Sequence, residues 1–388
     1  MTESTVVYCD LTDSQETGTA LGNQIRAEFK DAIADVVIVF ASSNYNFTKL
    51  LEALKVSSKS KIIVGCSSAG EFITGKHGVS AASALAMCSS DMKFTLNIGR
   101  GIRANRSGAA RELISTFQGK NTTYPYRSVL LLADALAGYT DSLIEELTTL
   151  TGGTYQFFGG GSGDDAKFSQ THVFHDTKAE TDAVVGLEIL SVKPLGVGAE
   201  HGWDVASEPF KVTESEGMRL ISLNSIPAVE VFEEHSEVTK QEFDKSNPMS
   251  FFLHNTLGIK AEGGYKIRVP LSVQADGSVL CASDIPTGAT VYIMKASNKS
   301  SEDAAQTAVE SALKQLGNNK PKTALFFDCV ATRLRMGKDF GLELQALQNS
   351  LGQNTKYAGC NSYGQIARVE GQFSGFHNCT AVVCIFPE

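Results

Sequence analysis

Long hydrophobic runs are missing from this 388-residue chain. None approaches the roughly 18 apolar residues needed to cross a bilayer as a helix. The start, Met1 to Tyr8, carries neither a basic leader nor a secretory apolar core, so a cytoplasmic location is expected. Positive charge is short as well. Against 43 Asp and Glu there are 34 Lys and Arg, and the formal charge of −9 argues against nucleic acid or an anionic membrane as the main partner. The eight cysteines are scattered, with no C-x-x-C pair, and Cys88, Cys281, Cys329 and Cys384 lie in or beside apolar strands. A reduced protein without disulfides or structural zinc is expected. The seven histidines form no H-x-x-x-H pair, and no Gly-Lys-Ser/Thr is present. What remains, 42% hydrophobic and 20% charged, is globular and long enough for two domains.

What the chain does have is a phrase said twice. Gly65-Cys66-Ser67-Ser68-Ala69-Gly70-Glu71-Phe72 returns as Gly359-Cys360-Asn361-Ser362-Tyr363-Gly364-Gln365-Ile366. A strand-like run and a helix-like stretch precede each copy, and another apolar strand follows it. A weaker copy lies between them, Ser128 to Leu132 followed by Phe157-Phe158-Gly159-Gly160-Gly161-Ser162-Gly163-Asp164. Such repetition reports a duplicated supersecondary unit. Small residues at the exit of a buried strand let a backbone approach a ligand. Gly65, Cys66, Ser67, Gly160, Gly161, Gly359, Asn361 and Tyr363 are therefore expected to line a ligand cavity.

The pattern predicts an α/β fold with mixed sheets and flanking helices, in two related halves. Residues 1–195 hold two copies of a strand–helix–strand–strand unit, and 218–388 hold the third at 321–388. The glycine-rich stretch 196–217 reads as a connection. Asp141 is placed to cap the helix to Leu150, and Ser301 to cap the helix to Leu316. Asp276-Gly277 predicts a hairpin turn.

Nucleotide chemistry does not suit the Gly159–Asp165 run, because strand character rather than a helix follows it. Ser67 misses the G-x-S-x-G register by one residue and becomes Asn361 in the last copy. No histidine near in sequence accompanies both Cys66 and Cys360, so buried small residues are the simpler account and no enzyme is expected. Arg333 and Arg335 lie just beyond a strand's carboxyl end, where they suit a carboxylate or, equally, a surface salt bridge.

Together these residues resemble the FIST family of bacterial sensory proteins over nearly the whole chain. Val64 to Glu71, Gly159 to Asp164 and Val173-Phe174 resemble its N-terminal part. Lys211-Val212-Thr213, Asn224 to Ala228, Leu257-Gly258-Ile259, Tyr265 to Arg268, Cys329 to Arg333, Gly359 to Ile366 and Phe376 to Thr380 resemble its C-terminal part. Two features depart from the family: Gln365 stands where relatives carry glutamate, and the spacing from Cys329 to Arg333 is one residue longer. The resemblance implies ligand sensing without catalysis. Free-standing members are similar to NosP-like haem sensors of nitric oxide, which implies haem b, nitric oxide as the signal, and a separate histidine kinase or cyclic-dinucleotide signalling protein as the receiver. His201 and His254 are then the axial candidates, and Arg268, Arg333 and Arg335 the propionate partners. A homodimer is compatible with this reading. So is a haem-free sensor of a small organic ligand such as an amino acid.

Overall fold

The computed structural model describes residues 1–30, 32–119, 122–368 and 374–388. Its plan is one unit used three times. The first unit runs β1 (Thr2–Cys9), α1 (Ser14–Phe29), β2 (Val36–Ser42), α2 (Phe47–Ser58), β3 (Ile62–Ser68), a hairpin of β4 (Glu71–Ile73) and β5 (Lys76–Gly78), then β6 (Ala82–Ser89). The second repeats this order as β7 (Met92–Arg100), α3 (Arg106–Ile114), β8 (Tyr126–Ala133), α4 (Thr140–Leu150), β9 (Gln156–Gly161), β10 (Val173–His175), β11 (Lys178–Glu180) and β12 (Ala183–Ser191). The third begins with β13 (Gly196–Glu200) and is interrupted by an insertion. That insertion carries β14 (Trp203–Val205), β15 (Phe210–Glu216), β16 (Arg219–Leu223), β17 (Ile226–Pro227), α5 (Ala228–Thr239) and α6 (Met249–Phe252). It continues with β18 (Thr256–Ala261), β19 (Gly264–Arg268), β20 (Pro270–Val273), β21 (Val279–Cys281) and β22 (Thr290–Ala296). The unit then resumes with α7 (Asn298–Leu316), β23 (Pro321–Cys329), α8 (Val330–Met336), α9 (Phe340–Leu351) and β24 (Lys356–Ser362). It closes with β25 (Gln365–Arg368), β26 (Ser374–His377) and β27 (Ala381–Pro387).

Each unit builds a six-stranded sheet, but no unit completes its own. The hairpin β4–β5 joins the third sheet, β10–β11 joins the first, and β25–β26 joins the second. This exchange closes a ring. The central pairs β2/β3, β8/β9 and β23/β24 are parallel, and the flanking strands run antiparallel to them.

Strand alternation explains why the central runs are apolar on both faces. Ile38 and Phe40, Leu130 and Leu132, and Leu325 and Phe327 all point into one core shared by the three sheets. The intervening residues pack outward under each unit's own helices: Val37 and Val39, Val129 and Leu131, Ala324 and Phe326. The fold class is thus mixed α/β as expected.

Three details differ from the sequence reading. Residues 196–217 are strands rather than a connection, since β13 pairs with β27 in the third sheet and β14 and β15 enter the insertion's sheet. Its glycines serve close packing: a Cβ at Gly196, Gly198 or Gly202 would lie 2.0, 1.8 or 2.2 Å from carbonyl oxygens of α7 or its first turn. The cap of α7 is Ser297, in a reciprocal capping box with Ser300, while Ser301 receives a hydrogen bond from Arg335. Asp141 lies inside the first turn of α4 and accepts from Phe376 N (3.0 Å) and Arg268 Nη2 (2.8 Å), tying the second unit to the insertion. The Asp276-Gly277 turn does form, with Gly277 at φ +81° between β20 and β21.

Candidate ligand site

The repeat phrase aligns Gly65, Gly159 and Gly359, and one contact explains all three. A Cβ there would sit 1.8 Å from Val39 O, 2.0 Å from Leu131 O and 1.9 Å from Phe326 O respectively, each on the neighbouring parallel strand. These glycines belong to the sheet interior. Cys66 and Ser67 are likewise sealed in the core, at 1% and 0% exposure, with Ser67 Oγ accepting from His172 N (2.9 Å).

The corners that follow meet one another. Ala69 N donates to Asn361 O (2.9 Å) and Asn361 N to Gly70 O (2.8 Å). Gly163 N donates to Ser67 O (2.8 Å), Gly161 N to Gly364 O (2.9 Å) and Tyr363 N to Gly161 O (3.0 Å). These strand-exit corners are hydrogen-bonded together, and Gly160 and Gly161 abut Ser362 and Tyr363.

Polar groups without partners collect beside this junction. Arg333, one turn into α8, reaches over Gly70, where a Cβ would lie 3.2 Å from its Cδ and Nε and 2.5 Å from Asn361 Oδ1. Gly70 has φ +139°, so both its conformation and its missing side chain admit the guanidinium. Arg333 Nε, Asn361 Oδ1 and Asp165 Oδ1 are buried and bond to no described residue. Partial burial lowers the Arg333 pKa, opposed by Glu71, Asp165 and Tyr363 nearby. Asp165 is held by its other oxygen, which accepts from Ser42 Oγ (2.8 Å), Ser43 N (2.9 Å) and Ser43 Oγ (2.6 Å). Above it Phe168 stacks on Tyr363 at 4.5 Å, and Tyr363 OH donates to Asp164. Asp164 in turn accepts from three successive amides, Phe168, Ser169 and Gln170, which fixes the loop.

Next to Tyr363 and Gly364 lies an apolar cavity of about 70 Å³ between α8 and the insertion, lined by Met249, Leu253, Val269, Leu271, Cys329 and Leu334. That is well below the roughly 300–1,000 Å³ of drug-sized ligand pockets.

Of the side chains proposed for haem, His201, Arg268 and Arg335 are engaged elsewhere, while Arg333 keeps an unpartnered donor. His201 is mostly buried, its Nε2 3.0 Å from Tyr265 O and its Nδ1 accepting from Trp203 N at 3.3 Å, so both ring nitrogens are engaged. Arg268 is buried and spends its donors on Asp141, Asp284 O and Ile267 O. Arg335 bonds Ser301 and Asn298 and lies over the Trp203 ring at 5.7 Å. His254 is exposed just after α6; packing on one side and then Arg335 lower its pKa. Gln365 is fully buried, donating to Ser362 Oγ (3.0 Å) and accepting from Thr380 N (3.2 Å).

Asp165, Phe168 and the pairing of Gly70 with Arg333 escaped the sequence reading. The repeat register held a signal for one of them, because Asp165 occupies the place of Glu71 and Gln365.

The FIST N domain model matches residues 35–226 and the FIST C domain model matches residues 228–368. The chain belongs to the FIST family. As a FIST protein it is a sensor of small ligands in signalling. The seam between the two FIST domains falls at the start of α5, inside the insertion, not at a boundary between structural units. Among solved structures, a cyanuric acid hydrolase from A. caulinodans is similar at 8% identity over 99% of each chain, with a TM-score of 0.34. A second cyanuric acid hydrolase is similar at 9% identity over 68% of this chain and 82% of its own, with a TM-score of 0.25. No curated protein matches this FIST chain. Among the described residues, no helix is long and apolar enough to cross a membrane.

Proposed function

We propose that this FIST protein senses a small zwitterionic organic ligand, such as an amino acid, at the junction of its three units, without catalysing a reaction. One observation carries the reading. A half-buried guanidinium with unfilled donors, Arg333, stands beside two buried acceptors that also lack partners, Asn361 Oδ1 and Asp165 Oδ1. Arginine suits a carboxylate bidentately, and the two oxygens suit an ammonium group. Leaving such groups buried and unpaired costs about 1–3 kcal/mol each, which a ligand of complementary charge recovers. For the receiver we retain a histidine kinase or cyclic-dinucleotide signalling protein, on the strength of the family alone.

The test is a thermal-shift screen of the standard amino acids and small dicarboxylates, followed by calorimetric titration of any ligand that stabilises the protein. Arg333→Ala is expected to weaken that ligand about 100-fold, in line with the 2–5 kcal/mol lost when one partner of a buried charge pair is removed. Arg333→Lys should recover only part of this. An unchanged affinity in Arg333→Ala would overturn the proposal.

A haem titration separates this reading from the gas-sensor one. No saturable Soret shift is expected, because both ring nitrogens of His201 are engaged. A saturable one-to-one spectrum that disappears in His254→Ala would replace the amino-acid reading with the haem one.

A further inference from the structure

Two thiol pairs meet inside the molecule. Cys66 and Cys360 touch in the shared core at 1% and 0% exposure, away from the cavity. Cys329 and Cys379 also lie against one another, and here the setting differs. Cys329 ends β23 and lines the apolar cavity, as does Asn378, the neighbour of Cys379. Cys379 sits in a left-handed turn (φ +49°) just before β27, and both sulfurs belong to the same buried cluster as Trp203, Ile267 and Val269.

We propose that Cys329 and Cys379 form a peroxide-reactive dithiol that closes to a disulfide at the edge of the cavity. A space of about 70 Å³ excludes drug-sized ligands but admits hydrogen peroxide. Contact with Cys379 lowers the Cys329 pKa from its ordinary value against the effect of burial, which favours the attacking thiolate. Cys329 lines the cavity and Cys379 does not, so the roles divide: Cys329 attacks first and Cys379 resolves. In the first step the Cys329 thiolate breaks the O–O bond and forms S–OH, releasing hydroxide, which takes up a proton to become water. In the second, Cys379 sulfur displaces the hydroxyl from Cys329, an S–S bond forms, and a second water leaves with the thiol proton. Two thiols lose two electrons to one peroxide. The new bond would pin the start of α8, one turn before Arg333, to the turn before β27. The inference stands apart from the amino-acid reading and survives its failure.

The experiment treats the full chain with equimolar hydrogen peroxide at neutral pH, alkylates the remaining thiols, and maps cysteines by mass spectrometry with and without reductant. A reducible peptide pair joining Cys329 to Cys379 is expected, with six of the eight thiols (8 − 2) still alkylated, Cys66 and Cys360 among them. In Cys379→Ser, dimedone should trap a sulfenic acid at Cys329. Oxidation of Cys66 and Cys360 instead, or no loss of thiols at several-fold excess peroxide, would overturn the proposal. So would an unpaired, irreversible oxidation of Cys329 in the wild-type chain. If Cys379→Ser fails to fold, the wild-type map decides the matter alone.

Discussion

Gly359→Ala is expected to lower the unfolding free energy by about 3 kcal/mol or more, or to abolish folding altogether. The added methyl would lie 1.9 Å from Phe326 O on the adjoining strand and 2.5 Å from Phe72 Cε2 on the visiting hairpin. Neither can retreat. Phe326 is hydrogen-bonded within the sheet, and Phe72 is fully buried against Phe326, Phe340 and Tyr357. Gly65→Ala should do comparable harm, with Val39 O at 1.8 Å. Gly75→Ala is the control: at φ +78° it meets nothing within 4 Å, so only backbone strain of about 1 kcal/mol is added. Urea unfolding of the three variants measures the difference. A Gly359→Ala protein within about 0.5 kcal/mol of wild type would show that the strands separate easily, contrary to the packing described.

Glu71→Gln is expected to stabilise the protein near neutral pH. The Glu71 carboxyl is wholly buried, and burial raises its pKa from 4.5 to about 8, against the pull of Ser68 and the amide of Ala81. The unfolded chain loses this proton near pH 4.5 and the folded chain keeps it to about pH 8. Stability from this group is therefore complete below about pH 4.5 and declines as pH rises toward 8. At pH 7 the loss is about 3 kcal/mol, taking 1.36 kcal/mol per unit. The third unit already holds the neutral solution. Gln365 donates to Ser362 Oγ and accepts from Thr380 N, as Glu71 engages Ser68 Oγ (2.6 Å) and Ala81 N (3.1 Å). Denaturant melts of both proteins from pH 4 to 8 are expected to coincide at the acid end and diverge upward, the variant having the shallower fall. Asp328 and Glu343, also buried with raised pKa values, leave a residual slope of the same sign. A less stable variant at pH 7 with an unchanged slope would mean that Glu71 is ionised and paired with Arg333.

The repeated glycine was legible because its cause is local to one strand–helix–strand unit, where a carbonyl of the parallel neighbour leaves no room for a side chain. The strand-like apolar runs Val36 to Phe40 and Ala324 to Phe327 were legible for the same reason. The exchanged hairpins were not. β4, β10 and β25 are three or four residues long, too short for a pattern, and their partners belong to other units. Their placement decides what the corners do, so a receptor cavity was expected where backbone pairing exists. Gly196, Gly198 and Gly202 show the related ambiguity, since a glycine cluster reads alike as linker or as helix-packing surface. At the site, Arg333 could be seen because it follows a strand end. Asp165 could not, because its role depends on Ser42 and Ser43 more than a hundred residues earlier in the chain.

The exchanged hairpins also order events during synthesis. β4 finds its place only beside β24, so the first 73 residues cannot seat their own turn until residue 356 and its neighbours have left the ribosome. A nascent chain halted between the two FIST domains would expose the rim of β9 that β25 later covers, and with it a template for sticking to its siblings. Two family names thus describe one cooperative body that matures only when its tail arrives.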